Sequence, residues 1–345
     1  MRPKVFIRYN MKITDRIHAF SALGKKLKSL TEDELTPLIR RSSVENPWFT
    51  SESIRNAIEG VSYMLEKDKL TAWTDKYTLD PEVPKVVGIV MAGNIPLVGF
   101  HDLLCVLLSG HVAAIKLSSQ DDVLPKKVIN WLVGLEAGFN RMITFPDKLT
   151  NIDAVIATGS DNTARYFEYY FGKYPNIIRK NRTSVAILTG EESDDELKLL
   201  GKDVFDYFGL GCRNVSKIYI PKNFDLTYLL DLWEGFGEII FHNKYRNNYD
   251  YHKSILLVNK ETHLDTGFSL LKETEDLVSP TSVLYYERYD DLDLIKTKVN
   301  EQSDKIQCII STGNIDQSIE FGKAQRPEPW DYADGVDTLA FLEKL

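Results

Sequence analysis

The sequence predicts an α/β fold: two doubly wound units behind an N-terminal helical region. Three features carry that reading. From residue 85 onward, short β-branched runs alternate with helical stretches, which calls for right-handed crossovers and a parallel sheet. The alternation resumes with fresh strands after residue 182. Ahead of both, the first 75 residues carry apolar side chains at helical spacing.

Each element follows in order. In the helical region, 14–30 and 51–73 are the long amphipathic stretches, and Thr31 with Glu34 forms a capping-box pattern opening a short helix between them. KVVGIVM (85–91) is a buried strand, punctuated by Gly93-Asn94-Ile95-Pro96. Asn94 is placed to cap, and Pro96 to enter, an apolar helix over 97–109 that Gly110 stops. HVAAIKL (111–117) is the second strand, 121–135 a helix and IDAVIA (152–157) the third strand. Thr158-Gly159-Ser160 then leads into a helix over 161–172. In the second unit, strands are expected at 183–188, 215–220, 254–258, 282–287 and 305–311, with helices near 194–208, 225–240 and 291–302. The boundary falls near Asn181, giving units of 1–181 and 182–315, with 316–345 as a C-terminal segment packing back on the body.

Composition narrows the class. At 345 residues and 43% hydrophobic, the chain can fill one large or two intimate cores. A net charge of -8 disfavours nucleic acid and anionic lipid as partners. No apolar run reaches the ~20 residues of a membrane helix; the longest, over 97–108, is broken by His101 and Asp102. The basic opening MRPKVFIRYNMK lacks the apolar region of a signal peptide. Cys105, Cys212 and Cys308 are odd in number and form no CxxC pair. That points to reduced thiols in the cytoplasm rather than disulfides or zinc, and the six histidines show no metal-ligand spacing.

Gly209-Leu210-Gly211-Cys212-Arg213-Asn214 is the sharpest chemical feature. Glycines either side of a leucine let the backbone bend and approach a ligand, so Cys212 is presented rather than packed. Cys105 and Cys308 sit inside apolar elements and read as core thiols. Cys212 is therefore the candidate thiolate nucleophile. Asn94 sits in a strand-to-helix turn, where its amide can serve a ligand or simply cap the helix. Lys116 ends a strand and can reach an anionic cofactor or lie solvated. Thr158-Gly159-Ser160 opens a helix whose amides can bind phosphate, as many such turns can.

Order and spacing join these features. GIVMAGNIPLVGFHDLLCVLLSGHVAAIKLSS, IDAVIATGSDNTARYF and FGLGCRNVSKIYIP resemble the Asn-bearing turn and Lys-bearing strand, the cofactor turn and the catalytic-cysteine segment of the aldehyde dehydrogenase superfamily. HNKYRNNYDYHKSILLVN and GKAQRPEPWDYADGVDTL look specific to its fatty-acyl-CoA reductase (LuxC) branch. The likeness runs from about residue 85 to the C-terminus.

The resemblance implies an aldehyde-dehydrogenase-like fold, with a Rossmann-like nicotinamide-cofactor domain in 1–181 and a catalytic cysteine domain in 182–315. It implies an NADPH-dependent acylating enzyme that reduces a fatty-acyl thioester to a fatty aldehyde. Cys212 would be the nucleophile, and Asn94 with the Cys212 backbone N–H the oxyanion donors. Lys116 and Ser118 would meet the adenosine ribose or its 2'-phosphate, and Thr158, Gly159 and Ser160 the pyrophosphate. Pro280 resembles the proline of the superfamily's EEIFGPV segment, which puts Asp276, or else Glu275, on the nicotinamide ribose. Coenzyme A would be the leaving group, and an acyl-activating synthetase or acyl carrier protein a possible donor partner. Leu117-Ser118-Ser119 follows Lys116 with no acid before Asp121, which suits NADPH. The residues from Asn94 to Lys116 leave no room for the superfamily's oligomerising β-hairpin. The stretch 178–183, where hydrolytic members carry a water-activating glutamate, contains no carboxylate; Glu191 and Glu192 lie beyond the next strand. The alternatives are a hydrolytic NAD(P)-dependent aldehyde dehydrogenase, a non-catalytic partner of an acyl-activating enzyme, and a thioesterase-like acyl-transfer protein.

Overall fold

A computed structural model describes residues 11–312 and 315–345; the basic stretch 1–10 lies outside the described residues. The chain divides into two compact units, Met1–Asn181 with Pro327–Leu345, and Arg182–Arg326.

The first unit opens with four helices, α1 (Ile13–Lys28), α2 (Glu32–Glu45), α3 (Ser51–Met64) and α4 (Lys67–Thr74). Phe20, Leu23, Ile54 and Trp73 are fully buried on their inner faces. The Glu34 carboxylate accepts the Thr31 N–H at 3.1 Å, completing the reciprocal cap expected there. The expected single helix over 51–73 is broken at Leu65–Glu66 into α3 and α4. A five-stranded sheet follows: β1 (Val86–Val90), α5 (Phe100–Leu108), β2 (Val112–Lys116), α6 (Val123–Leu135), β3 (Ile143–Thr144), β4 (Ala154–Thr158), α7 (Asp161–Phe171) and β5 (Asn176–Arg179). Its order is β3-β2-β1-β4-β5, all parallel. The order reverses between β1 and β4, so a crevice opens beyond their carboxyl ends.

Two expectations change here. The helix after β1 starts at Phe100 rather than 97, and Gly99, not Asn94, is its N-cap. Leu97 stands in the left-handed region (φ 58), which ends any helical run before it. Residues 176–179, between the expected helix over 161–172 and strand at 183–188, form the edge strand β5. Arg179 is buried there, and one of its guanidinium nitrogens donates to both Asp102 oxygens at 2.6 Å.

The second unit comprises β6 (Thr183–Ile187), α8 (Asp194–Phe205), β7 (Val215–Pro221), α9 (Leu226–Leu232), α10 (Asn243–Asn259), β8 (Leu264–Asp265), β9 (Leu270–Glu273), β10 (Val283–Tyr289), α11 (Leu292–Glu301) and β11 (Ile306–Ile310). Its sheet runs β11-β6-β7-β10-β9-β8, parallel except for the β8–β9 pair. One face buries Leu197, Leu200, Leu229 and Trp233; the other buries Tyr219, Ile295 and Val299. The expected strand at 254–258 is the end of α10. Its apolar run is misleading, because Leu256 is buried while Leu257 and Val258 are exposed. The expected helix over 225–240 gives way after Leu232 to a 3-10 stretch, Glu234–Phe241, that contains Gly235 and Gly237. The expected helix over 194–208 ends at Phe205 because Tyr207 and Phe208 are left-handed.

The segment expected from residue 316 is split. Gly322 and Ala324 donate backbone N–H groups to the buried Asp203 carboxylate of the second unit. Residues 327–345 belong to the first unit and carry α12 (Thr338–Glu343), which packs on α5. Tyr332 accepts from Trp73 Nε1 at 2.8 Å, and His111 Nε2 meets the Leu342 carbonyl at 3.0 Å. The Lys85 N–H lies 3.2 Å from His111 Nδ1, which fixes Nε2 as the protonated nitrogen.

Candidate active site

The turn that carries Cys212 is built at the amino end of β7, in the second unit. After α8 the backbone passes through three successive left-handed residues, Tyr207, Phe208 and Gly209 (φ 52, 61 and 74). Such conformations cost roughly 1–3 kcal/mol for a residue with a side chain and persist only when neighbours impose them. Asn214, 2% exposed, imposes this one. Its Nδ2 donates to the carbonyls of Asp203 and Asp206 at 3.1 and 2.8 Å, and its Oδ1 accepts the Gly211 N–H at 2.8 Å. The Asn214 N–H returns to the Gly211 carbonyl at 3.0 Å, closing a tight turn around Cys212. Ser184 Oγ donates to the Cys212 carbonyl at 3.0 Å, fastening the turn to the start of β6. Cys212 is half-buried, whereas Cys105 and Cys308 are buried, and none of the three is in a disulfide. Burial pushes the Cys105 thiol well above its ordinary pKa, so it is a core group.

A second predicted segment is tied to the strand that follows this turn. Thr183 Oγ1 donates to Ser216 Oγ at 2.6 Å, and Ser216 Oγ donates to the Leu277 carbonyl at 2.9 Å. Leu277, which follows the exposed Glu275 and Asp276, is thereby tied to the start of β7. A small cavity nearby is lined by Phe208, Gly209, Ser216, Tyr245, Ser279 and Pro280. The Phe208 ring packs on His242, with ring centroids 4.4 Å apart.

Glu191 and Glu192 lie elsewhere. They follow β6, whereas Cys212 precedes β7, and the two strands run parallel from the Ser184–Val215 pair. A five-residue strand spans ~17 Å, so these acids sit at the opposite sheet edge from the thiol. Glu192 is also occupied, accepting from Thr189 N at 2.6 Å, Thr189 Oγ1 at 2.8 Å and Gly190 N at 2.9 Å.

In the first unit, the predicted cofactor residues gather at the carboxyl edge of the sheet. The turn after β1 carries Asn94, exposed; β2 ends at Lys116, also exposed; and β4 ends at Thr158. Ser160 caps α7, accepting the Thr163 N–H at 3.3 Å, so the helix N-terminus opens beside Gly159. A Cβ on Gly159 would stand 2.9 Å from Thr163 Cγ2, and one on Gly93 would stand 2.6 Å from Ser118 Oγ. Both positions thus require glycine for backbone approach, and the crevice between β1 and β4 suits a dinucleotide. Lys116 Nζ donates to the Asp147 carbonyl at 3.1 Å, which occupies one of its three donors. Ser118 packs against Gly93, and its Oγ accepts the Gln120 N–H at 3.1 Å. No cluster of metal-ligating side chains occurs among the described residues. Among them, no helix is long and apolar enough to cross a membrane.

Sequence reasoning missed Asn214 and Asp121. Asn214 lies inside the cysteine motif, and an asparagine two residues after the cysteine was its available signal. Asp121 was assigned to a helix start, yet α6 begins at Val123.

The architecture is the aldehyde dehydrogenase fold, a Rossmann-like unit joined to a cysteine-bearing α/β unit. An aldehyde dehydrogenase of Mycobacterium tuberculosis solved with NAD+ matches with a TM-score of 0.63 at 14% identity, over 90% of this chain and 76% of that one. Glyceraldehyde-3-phosphate dehydrogenase GapN of Methanocaldococcus jannaschii, solved with NADP, matches with a TM-score of 0.60 at 12% identity, over 92% and 80%. An aldehyde dehydrogenase of Bacillus cereus in its NAD+ complex matches at 0.61 and 15% identity, over 88% and 73%. No protein-family model and no curated protein sequence matches the chain.

Proposed function

We propose that the chain is a nicotinamide-dependent oxidoreductase that reduces a fatty-acyl thioester to an aldehyde through an acyl group held on Cys212. The Cys212 thiolate attacks the thioester carbonyl; the bond to the departing sulfur breaks, and coenzyme A or a carrier thiolate leaves with the electron pair. Lys116, Ser118, Asp276 and the 158–160 turn would hold a reduced nicotinamide, which when bound would supply the hydride. Asn94 and the Cys212 N–H donate to the carbonyl oxygen as it gains charge, each such donor being worth ~3–4 kcal/mol in comparable sites. Collapse of the tetrahedral species frees the aldehyde and restores the thiolate.

The observation that carries this reading is the placement of the carboxylates. Hydrolysis of an acyl-cysteine needs a base to activate water, typically worth ~10²–10⁴ in rate. Glu191 and Glu192 sit at the sheet edge away from Cys212, and Asp102, the acid tied to the strand before residue 180, is held by Arg179. An acyl group on Cys212 therefore waits for hydride or for an acceptor thiol. The solved neighbours favour a second reading, the hydrolytic aldehyde dehydrogenase. Incubation with a long-chain acyl-CoA and NADPH separates the two. Loss of NADPH absorbance with aldehyde formation supports reduction; rapid release of fatty acid from aldehyde and oxidised cofactor without an acceptor thiol establishes the hydrolytic enzyme.

A further inference from the structure

Asp121 lies in the loop after β2, two residues before α6, with 4% of its surface exposed. Its Oδ2 accepts the backbone N–H of Leu97 at 2.7 Å. Leu97 is the left-handed residue of the turn that carries Asn94. The other carboxylate oxygen, Oδ1, is buried and has no hydrogen-bond partner among the described residues.

The rest of the turn is held against the same loop. A Cβ on Gly93 would stand 2.6 Å from Ser118 Oγ and 3.1 Å from the Asp121 backbone nitrogen. On its other side, Asn46 Nδ2 donates to the Gly93 carbonyl at 3.3 Å. Asn94 is thus the exposed crest of a turn whose two ends are fixed, one by packing and Asn46, the other by Asp121.

A buried carboxylate with one hydrogen bond and one orphan oxygen is costly to keep. An apolar residue would pack there at lower cost, but it would leave the Leu97 N–H without an acceptor and the left-handed turn without its anchor. We infer that Asp121 is a positioning residue, whose carboxylate holds the Leu97 N–H and so fixes the turn that presents Asn94 to the reacting carbonyl. The inference rests on the role proposed above for Asn94. It also joins two functions in one loop, because 118–121 continues directly from the cofactor-facing end of β2.

The charged groups facing Asp121 are both acidic: Glu45 at the end of α2 and Asp122 beside it. Burial above all, with a smaller push from these two acids, raises its carboxyl to about 7, against the Leu97 N–H, which pulls it down. A charged acceptor makes a hydrogen bond roughly twice as strong as a neutral one. The anchor is therefore strongest above neutrality and weakens as the pH falls below it.

The test is a cycle of Asn94→Ala, Asp121→Asn, Asp121→Ala and the double variant Asn94→Ala/Asp121→Ala. Asp121→Asn keeps an acceptor of the same shape without charge. We expect kcat to fall ~10-fold in Asp121→Asn and ~100-fold in Asp121→Ala, with KM for the acyl thioester changed less than about threefold. The double variant should be no slower than Asn94→Ala alone, since Asp121 acts through that residue. Independent effects that multiply overturn the inference. So does full turnover in Asp121→Asn and Asp121→Ala beside a slow Asn94→Ala, and then it falls alone. Unchanged turnover in Asn94→Ala removes the role of Asn94 and this inference with it. Amide exchange at Leu97, followed in wild type from pH 5.5 to 8.5 and in Asp121→Asn, reads the anchor without any turnover. Protection should rise through pH 7 in wild type beyond the intrinsic trend and stay low in the variant; protection equal in the two overturns the inference.

Discussion

Asn214 accepts the Gly211 N–H at 2.8 Å across the turn that holds Cys212, while its own amide reaches back to the end of α8. One side chain therefore fixes both the left-handed kink and the cysteine. Asn214→Ala leaves two carbonyls and one N–H without their side-chain partner and should cost ~2–4 kcal/mol. Asn214→Asp keeps the acceptor and loses both donors. Both variants should slow iodoacetamide alkylation of Cys212 in the folded protein, measured beside the unfolding midpoint. Wild-type alkylation in Asn214→Ala would show that the turn holds itself.

Cys212→Ala should abolish labelling by mass-tagged acyl-CoA. Cys105→Ala and Cys308→Ala should retain it, at a cost of roughly 1 kcal/mol of stability each as buried thiols replaced by a smaller group. Intact-protein mass spectrometry checks all three. An acyl adduct on Cys212→Ala would end the covalent mechanism.

Asn94→Ala now has a sharper expectation than the sequence alone allows. Because Gly99 occupies the N-cap of α5, no helix cap is lost in this variant. Turnover should fall by ~10²–10³. A marked drop in unfolding midpoint with normal kcat would make Asn94 a structural residue.

Lys116 is exposed, with donors beyond the one used by Asp147, at the end of the strand that leads into Ser118 and Ser119. Lys116→Ala should raise KM for NADPH ~10-fold and leave KM for NADH nearly unchanged, since only the former carries a 2'-phosphate. Equal losses for both cofactors would place Lys116 away from the ribose.

Asp203 sets a pH dependence of stability. Burial pushes its carboxyl up to about 7 despite the Gly322 and Ala324 N–H groups that pull it down. An unfolded aspartate titrates near ~3.9, so between these values the native state binds more protons than the unfolded chain. This component is complete below the unfolded pKa, declines as pH rises and is gone above about 7. Urea unfolding from pH 5 to 8 should show that decline in wild type and a flatter profile in Asp203→Asn.

The strands over 85–91, 111–117 and 215–220 were legible because β-branched runs bounded by glycine have few other uses. Residues 254–258 look the same in one dimension, yet the run lies along a helix with Leu256 inward and Val258 outward. No local pattern distinguishes that case from a buried strand. At the site, the glycines around Leu210 announced the cysteine turn, but the clamp did not show. The bond from Asp121 to Leu97 spans 24 residues, and the reach of Asn214 to Asp203 depends on a kink made by two aromatic residues of unremarkable propensity.

The split of the first unit has a consequence for how the chain is made. Leu339 and Leu342 are fully buried, and α12 packs on α5, so residues 327–345 finish a core begun before residue 110. During synthesis, the first unit emerges without its final layer, and all of the second unit must follow before that layer arrives. The second unit is continuous from Arg182 to Arg326 and can close on itself first. Vectorial folding of this chain thus runs out of order, the unit that carries Cys212 maturing while the crevice-bearing one still waits for α12.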